Sequence, residues 1–274
     1  MKPLFKTIIP ATIVAAMAIA AESCSGSGAK DTIEFETRAD SVGYLVPDFY
    51  GDSVYSAARY SVVWPERIGE EDFNTLRDSL TTLTFGVRSE SFEAAAHAFT
   101  RSGLNDLVQE ADSGARKYES VPFNVAYDAQ RANLNLISSE VTLLTPDILV
   151  IGVLNQTYYY GAAHGMKTRR FLNYSIKRHE LMTVSNTFAA GYEKSILSLI
   201  THAAHEKYPD EGVLFDAPIE SFSNFQVTEN DIVFVYQPYD IGPYSSGILE
   251  VPVSQNDLYR FLTPEAIATL GLDN

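Results

Sequence analysis

Helix-type and strand-type periodicities come in blocks along this 274-residue chain rather than in strict alternation, and that grouping constrains its fold most. Alternating chains build parallel sheets, whereas blocked ones build α+β folds. Tyr60-Ser61-Val62-Val63-Trp64 is a β-prone run closed by Pro65. Residues 70–85 then read as an amphipathic helix, with Phe73, Leu76, Leu80 and Leu83 at helical spacing and Gly86 as its stop. Ser91 suits the cap of a second helix running to Ser102 before Gly103, and residues 104–118 read as a third. From Val121 the period changes to two, in Val125 and Tyr127, Leu134 and Leu136, and Val141 and Leu143. Residues 148–160 form a long β-branched and aromatic run that ends in Gly161-Ala162-Ala163-His164-Gly165, with 169–176 as the returning strand. Residues 192–208 are helical again, with Ile196, Leu197, Ile200 and Ala204 on one face. Residues 225–227 and 232–236 make a hairpin. Ser254 with Asp257 reads as a variant capping box, and Pro264 and Gly271 bracket a last short helix. The expectation is α+β, with two small subdomains over 49–168 and 169–274, each an antiparallel sheet with helices packed on it.

The N-terminus carries an address. Lys2 and Lys6 precede an apolar run over 8–21, the pattern of a secretory signal peptide, here residues 1–23. The run is shorter than the ~20 residues a membrane-spanning helix needs. Cys24 is the only cysteine. Export leads to an oxidising compartment, where a lone thiol calls for a role. Ala21-Glu22-Ser23-Cys24 resembles the lipobox of bacterial lipoproteins, with Ala21 and Glu22 departing from the usual residues. That resemblance implies acylation of Cys24, and acyl chains at ~0.8 kcal/mol per buried CH2 hold a protein to a bilayer. Cleavage at Ala18-Ile19-Ala20 is the alternative and would release a soluble protein. Ser25-Gly26-Ser27-Gly28 opens a stretch, 24–48, read as a flexible tether.

Charge excludes one class of partner. Lys and Arg total 20 against 35 Asp and Glu, and removing Lys2, Lys6 and Glu22 with the signal leaves 18 against 34, or −16. Such a surface repels nucleic acid and anionic lipid, and it favours cationic partners. With 46% hydrophobic and 12% aromatic residues the chain can bury a sizeable core.

No catalytic apparatus is visible. There is no G-x-S-x-G elbow, phosphate-cradling loop or cysteine pair. His202 and His205 share a helix at i, i+3, which is not the H-E-x-x-H of a zinc protease. His97 and His179 read as structural. No metal and no cofactor is expected. His164 stands apart because glycines flank it and Tyr158-Tyr159-Tyr160 precede it. A second aromatic turn follows a later strand, Tyr236-Gln237-Pro238-Tyr239-Asp240-Ile241-Gly242-Pro243-Tyr244. Tyrosines offer rigid amphipathic contact surface. The candidate ligand-binding residues are therefore Tyr158, Tyr160, His164, Tyr236, Tyr239 and Tyr244. The bland alternative is that these rings pack one turn on the other, with His164 as a structural hydrogen-bond donor.

Tyr160-Gly161-Ala162-Ala163-His164-Gly165, then Asn173, Phe188 and Tyr239-Asp240-Ile241-Gly242-Pro243-Tyr244 with Gly247 resemble the envelope domains shared by RsiV-type anti-sigma factors and PdaC-type peptidoglycan deacetylases. The resemblance covers roughly residues 55–262, and Ala162 stands where the family usually has a second glycine. It implies a PdaC-like N-terminal subdomain and an RsiV-like C-terminal one. It also implies a partner, because the RsiV-type region is a lysozyme sensor. The sequence shows neither the deacetylase domain nor the anti-sigma segment, so enzyme activity and signalling are not expected to carry over. The expected function is that of a non-catalytic lipoprotein of the bacterial cell envelope, lipid-anchored and periplasmic or surface-exposed. It binds a basic protein such as a lysozyme, or cell-wall glycan (peptidoglycan). The alternative is an envelope hydrolase using His164 with a carboxylate such as Asp240.

Overall fold

The computed structural model describes residues 17–18, 33–47, 53–68, 73–101, 119–121, 123 and 131–273. Cys24 and the leader, apart from Met17–Ala18, lie outside these residues, as do Val125, Tyr127 and all of 102–118.

The strands are β1 Met17–Ala18, β2 Ile33–Pro47, β3 Ser53–Ile68, β4 Glu119–Val121, β5 Ala132–Leu144, β6 Ile148–Tyr158, β7 Met166–Ser175, β8 Glu180–Met182, β9 Phe225–Val227, β10 Asp231–Tyr236 and β11 Leu249–Ser254. The helices are α1 Asn74–Phe85, α2 over 92–101, α3 Val184–Thr187, α4 Glu193–Lys207, α5 Gln255–Leu258 and α6 Pro264–Leu270. They assemble into an α+β fold. The larger sheet runs β1-β2-β3-β5-β6-β7-β8 with β4 beside β2, and the smaller is β11-β10-β9. Pairing is antiparallel except between β3 and β5, where Tyr55 to Ser61 run parallel to Ala132 to Ser138. Parallel neighbours cannot be joined by a tight turn, and here the connection passes through α1 and α2.

Residues 33–47 correct the reading of 24–48 as tether. They form a 15-residue strand paired along its length with β3. Ile33 and Phe35 point into the core. Arg38 of this strand bonds Glu36 and Glu93 and lies 4.2 Å over the Trp64 ring.

β6 shows why its sequence is apolar without a break, as expected of a strand covered on both faces. Leu149, Ile151 and Val153 join Leu76 and Leu80 of α1 in one core, while Ile148 and Val150 join the small-sheet core with Ile196, Ile200 and Phe234. Local signals set the helix ends. Ser91 Oγ accepts the Ala94 N–H at 3.1 Å, Thr263 Oγ1 accepts the Ala266 N–H, and Gly86 and Gly271 close their helices at φ 72° and 68°.

The halves are joined by side-chain amides. Among the described residues, no strand pairs with the outer edge of β7 beyond its short pairing with β8. Gln237 takes that place by accepting the Arg169 N–H and donating to the Arg169 carbonyl, both at 2.8 Å. Asn224 Oδ1 accepts the Phe171 N–H at 3.2 Å. Asn173, 3% exposed, donates to the Phe225 carbonyl and accepts the Val227 N–H, both at 2.8 Å. An open strand edge invites unwanted pairing, and these amides close it.

Candidate functional site

The β6–β7 and β10–β11 connections meet at one end of the molecule. The first turns through Gly161 at φ 83°, with the Ala162 N–H on the Tyr159 carbonyl at 2.9 Å. Gly165 lies so close to the preceding strand that a Cβ would stand 2.7 Å from the Thr157 carbonyl oxygen, so no larger residue fits. In the second turn the Asp240 carboxylate accepts the Gln237 N–H at 2.7 Å, and the Tyr239 N–H reaches the Gly242 carbonyl at 3.1 Å. These bonds hold Tyr239 at φ 76°, a left-handed conformation unusual for an aromatic residue.

The turns bring His164, Tyr239 and Tyr244 together. The His164 ring stacks on Tyr244, with centroids 3.6 Å apart at 18°. His164 Nδ1 lies 3.0 Å from the Gly165 carbonyl oxygen, and the Tyr239 hydroxyl lies 3.1 Å from Nε2. Tyr244 donates its hydroxyl proton to the same Gly165 oxygen at 2.6 Å. A neutral imidazole protonated at Nδ1 satisfies the whole set, because Nε2 then accepts the Tyr239 proton. Every polar atom of the His164 ring is thus spent within the cluster. Among the described residues no hydrogen bond or ion pair joins Asp240 to His164.

The other candidates separate. Tyr160 is exposed at the mouth of the turn, its N–H held by Asn133 Oδ1 at 2.8 Å. Tyr158 is half-buried at the end of β6. Tyr236 is not part of the surface: it is 6% exposed and donates its hydroxyl to the Ser221 carbonyl at 3.1 Å. Burial first, and the Asp240 charge second, push its hydroxyl pKa well above the tyrosine range. Tyr236 is a core residue because it shares strand parity with Ile232 and Phe234.

A third loop, which the sequence reading missed, completes the end. The Phe215 N–H bonds the Ile241 carbonyl at 2.9 Å, and Ser246 donates to the Val213 carbonyl at 2.8 Å. Gly242 permits this approach, since a Cβ there would stand 2.3 Å from the Val213 oxygen. Seven large hydrophobic side chains are exposed among the described residues, and four of them, Tyr159, Tyr160, Phe215 and Tyr239, sit on these three loops. Exposed Asp210, Glu211, Asp216 and Asp240 lie beside them. The signal was present as Val213-Leu214-Phe215, an apolar triplet after a Pro-Asp-Glu-Gly turn.

Residues 185–256 match the family described as "Protein of unknown function (DUF3298)". The DUF3298 segment runs from α3 through β11, so it contains the Tyr239 and Tyr244 turn and the third loop but not His164. Two solved structures of DUF3298 proteins share the fold beyond that segment. One, from Bacteroides fragilis NCTC 9343, superposes with a TM-score of 0.64 at 19% identity, covering 88% of this chain and 97% of its own. The other, from Pseudomonas aeruginosa PAO1, gives 0.58 at 16% identity, covering 86% and 97%. At these identities the likeness is one of fold. No curated protein matches the sequence.

Proposed function

We propose that this chain is a non-catalytic envelope lipoprotein that recognises a cationic protein through the surface built by residues 158–165, 209–216 and 237–247. One observation carries the reading: four exposed aromatic side chains sit on three loops, two of them each hydrogen-bonded to the 237–247 turn between them, with carboxylates beside them. Protein interfaces have this anatomy, with rigid aromatic anchors at the centre and a polar rim. The acidic rim agrees with the charge of the whole chain. The resemblance to RsiV-type proteins makes a lysozyme-like enzyme the first candidate, and cell-wall glycan is the partner if charge plays no part. Turnover at His164 would require an activated nucleophile. The absence, among the described residues, of a bond from Asp240 or another carboxylate to His164 supports binding over hydrolysis.

Kinetics with an immobilised basic lysozyme test this. Association should slow as salt rises, because exposed charges are screened over ~8 Å at physiological ionic strength, while dissociation changes less. Tyr239→Ala or Phe215→Ala should speed dissociation by roughly tenfold, corresponding to a hot-spot loss of ~1–2 kcal/mol. Absence of binding at low salt, or dissociation indifferent to both substitutions, would refute the proposal.

The location belongs to the same reading. With Cys24 acylated, Cys24→Ala should move the protein from the membrane fraction to the soluble one. An intact mass showing an unmodified N-terminus after Ala20 would overturn the anchoring.

A further inference from the structure

Beside the aromatic surface, a cleft of about 730 Å³ opens between the β7 edge and the 217–224 loop. It lies where the two sheets meet, a frequent place for ligand sites, and its size is within the range of small-molecule pockets. Its chemistry differs from that of the His164 cluster. There the imidazole nitrogens and both tyrosine hydroxyls are spent on one another and on Gly165. In the cleft, Arg170 on one wall and Glu220 on the other are exposed, and among the described residues neither has an ion-pair or hydrogen-bond partner. The hydroxyls of Ser221 and Ser223 also line it without a protein partner among those residues. Asp240 adds a second carboxylate, with one oxygen held by the Gln237 N–H. The floor is rigid, because Gln237 and Asn224 are locked to the backbone of β7.

We propose that this cleft binds a short peptide with free termini. Arg170 offers a planar fork that pairs a carboxylate through two hydrogen bonds. Glu220 and Asp240 face it with the opposite sign, which suits an ammonium group. Ser221 and Ser223 line the same cleft and offer hydroxyls as donors and acceptors for peptide amides. Unpaired charges of both signs on opposite walls select a zwitterion. A ligand of one sign would meet repulsion from one wall.

Calorimetric titration of the full chain with L-alanyl-L-alanine tests the site. Saturable binding is expected. N-acetyl-alanyl-alanine amide, with both termini blocked, should bind at least tenfold more weakly. Arg170→Gln should weaken the free dipeptide by a similar factor, with the thermal midpoint and the affinity for a basic lysozyme unchanged. Glu220→Gln is the second variant, and it should narrow the preference for the free over the N-acetylated dipeptide. No saturable binding at millimolar dipeptide, or equal binding of free and blocked forms, would overturn the proposal. Because lysozyme binding is read separately, failure of the cleft and failure of the aromatic surface are distinguishable.

Discussion

Asn173→Ala is expected to destabilise the fold by about 2–6 kcal/mol, from two buried peptide groups left without partners at about 1–3 kcal/mol each. The Asn173 side chain donates to the Phe225 carbonyl and accepts from Val227 across the join between β7 and β9. Alanine removes both bonds and leaves a void at a site that is 3% exposed. Asn173→Asp keeps an acceptor for the Val227 N–H but, when ionised, sets a buried charge against the Phe225 carbonyl, so a charge-burial cost joins the lost donor. Urea unfolding at neutral pH should show a lower midpoint for both variants. A midpoint unchanged in Asn173→Ala would mean that water replaces the amide without cost and that the join is held by apolar packing alone.

Gly242→Ala should have the second large effect, and its cause is steric. A Cβ at this position meets the Val213 carbonyl oxygen at 2.3 Å and a Leu249 methyl group at 3.0 Å. The first obstacle is backbone, so it cannot rotate away as a side-chain tip would. The 209–216 loop must move, which strains the Phe215–Ile241 and Ser246–Val213 hydrogen bonds. A loss toward the upper end of the ~1–3 kcal/mol typical of overpacking is expected. Partner binding should fall further than stability does, because Phe215 and its neighbouring carboxylates are carried off with the loop. Thermal unfolding and lysozyme affinity measured on the same sample would separate the two losses.

Much of the fold was legible because its signals are local. The apolar spacing and stop glycine of α1, the Ser91 cap, the Pro264 and Gly271 brackets of α6 and the continuous apolar run of β6 each act within a few residues. What escaped depends on distant partners. The reading of β2 as tether extends the Ser-Gly run after Cys24 through it, whereas its strand pairing depends on β3, a distant partner. The parallel pairing of β3 with β5 has no signature in either strand. The site was half legible for a similar reason. Glycines and tyrosines marked two turns, and the structure brings His164 to Tyr239 and Tyr244. The loop at 209–216 joins the second turn through hydrogen bonds to Ile241 and Ser246, at a close approach that Gly242 allows. Tyr236 was misassigned although its parity with Ile232 and Phe234 points it inward, because the aromatic richness of the following turn drew it into that group.

Hydrogen–deuterium exchange on the chain saturated with a basic lysozyme at low salt tests the central claim most directly. Protection is predicted over residues 158–165, 209–216 and 237–247 together, with α1 and α2 exchanging as in the free protein. Protection confined to another face, or no change at these three loops on saturation, would contradict the assignment of this surface as the binding site.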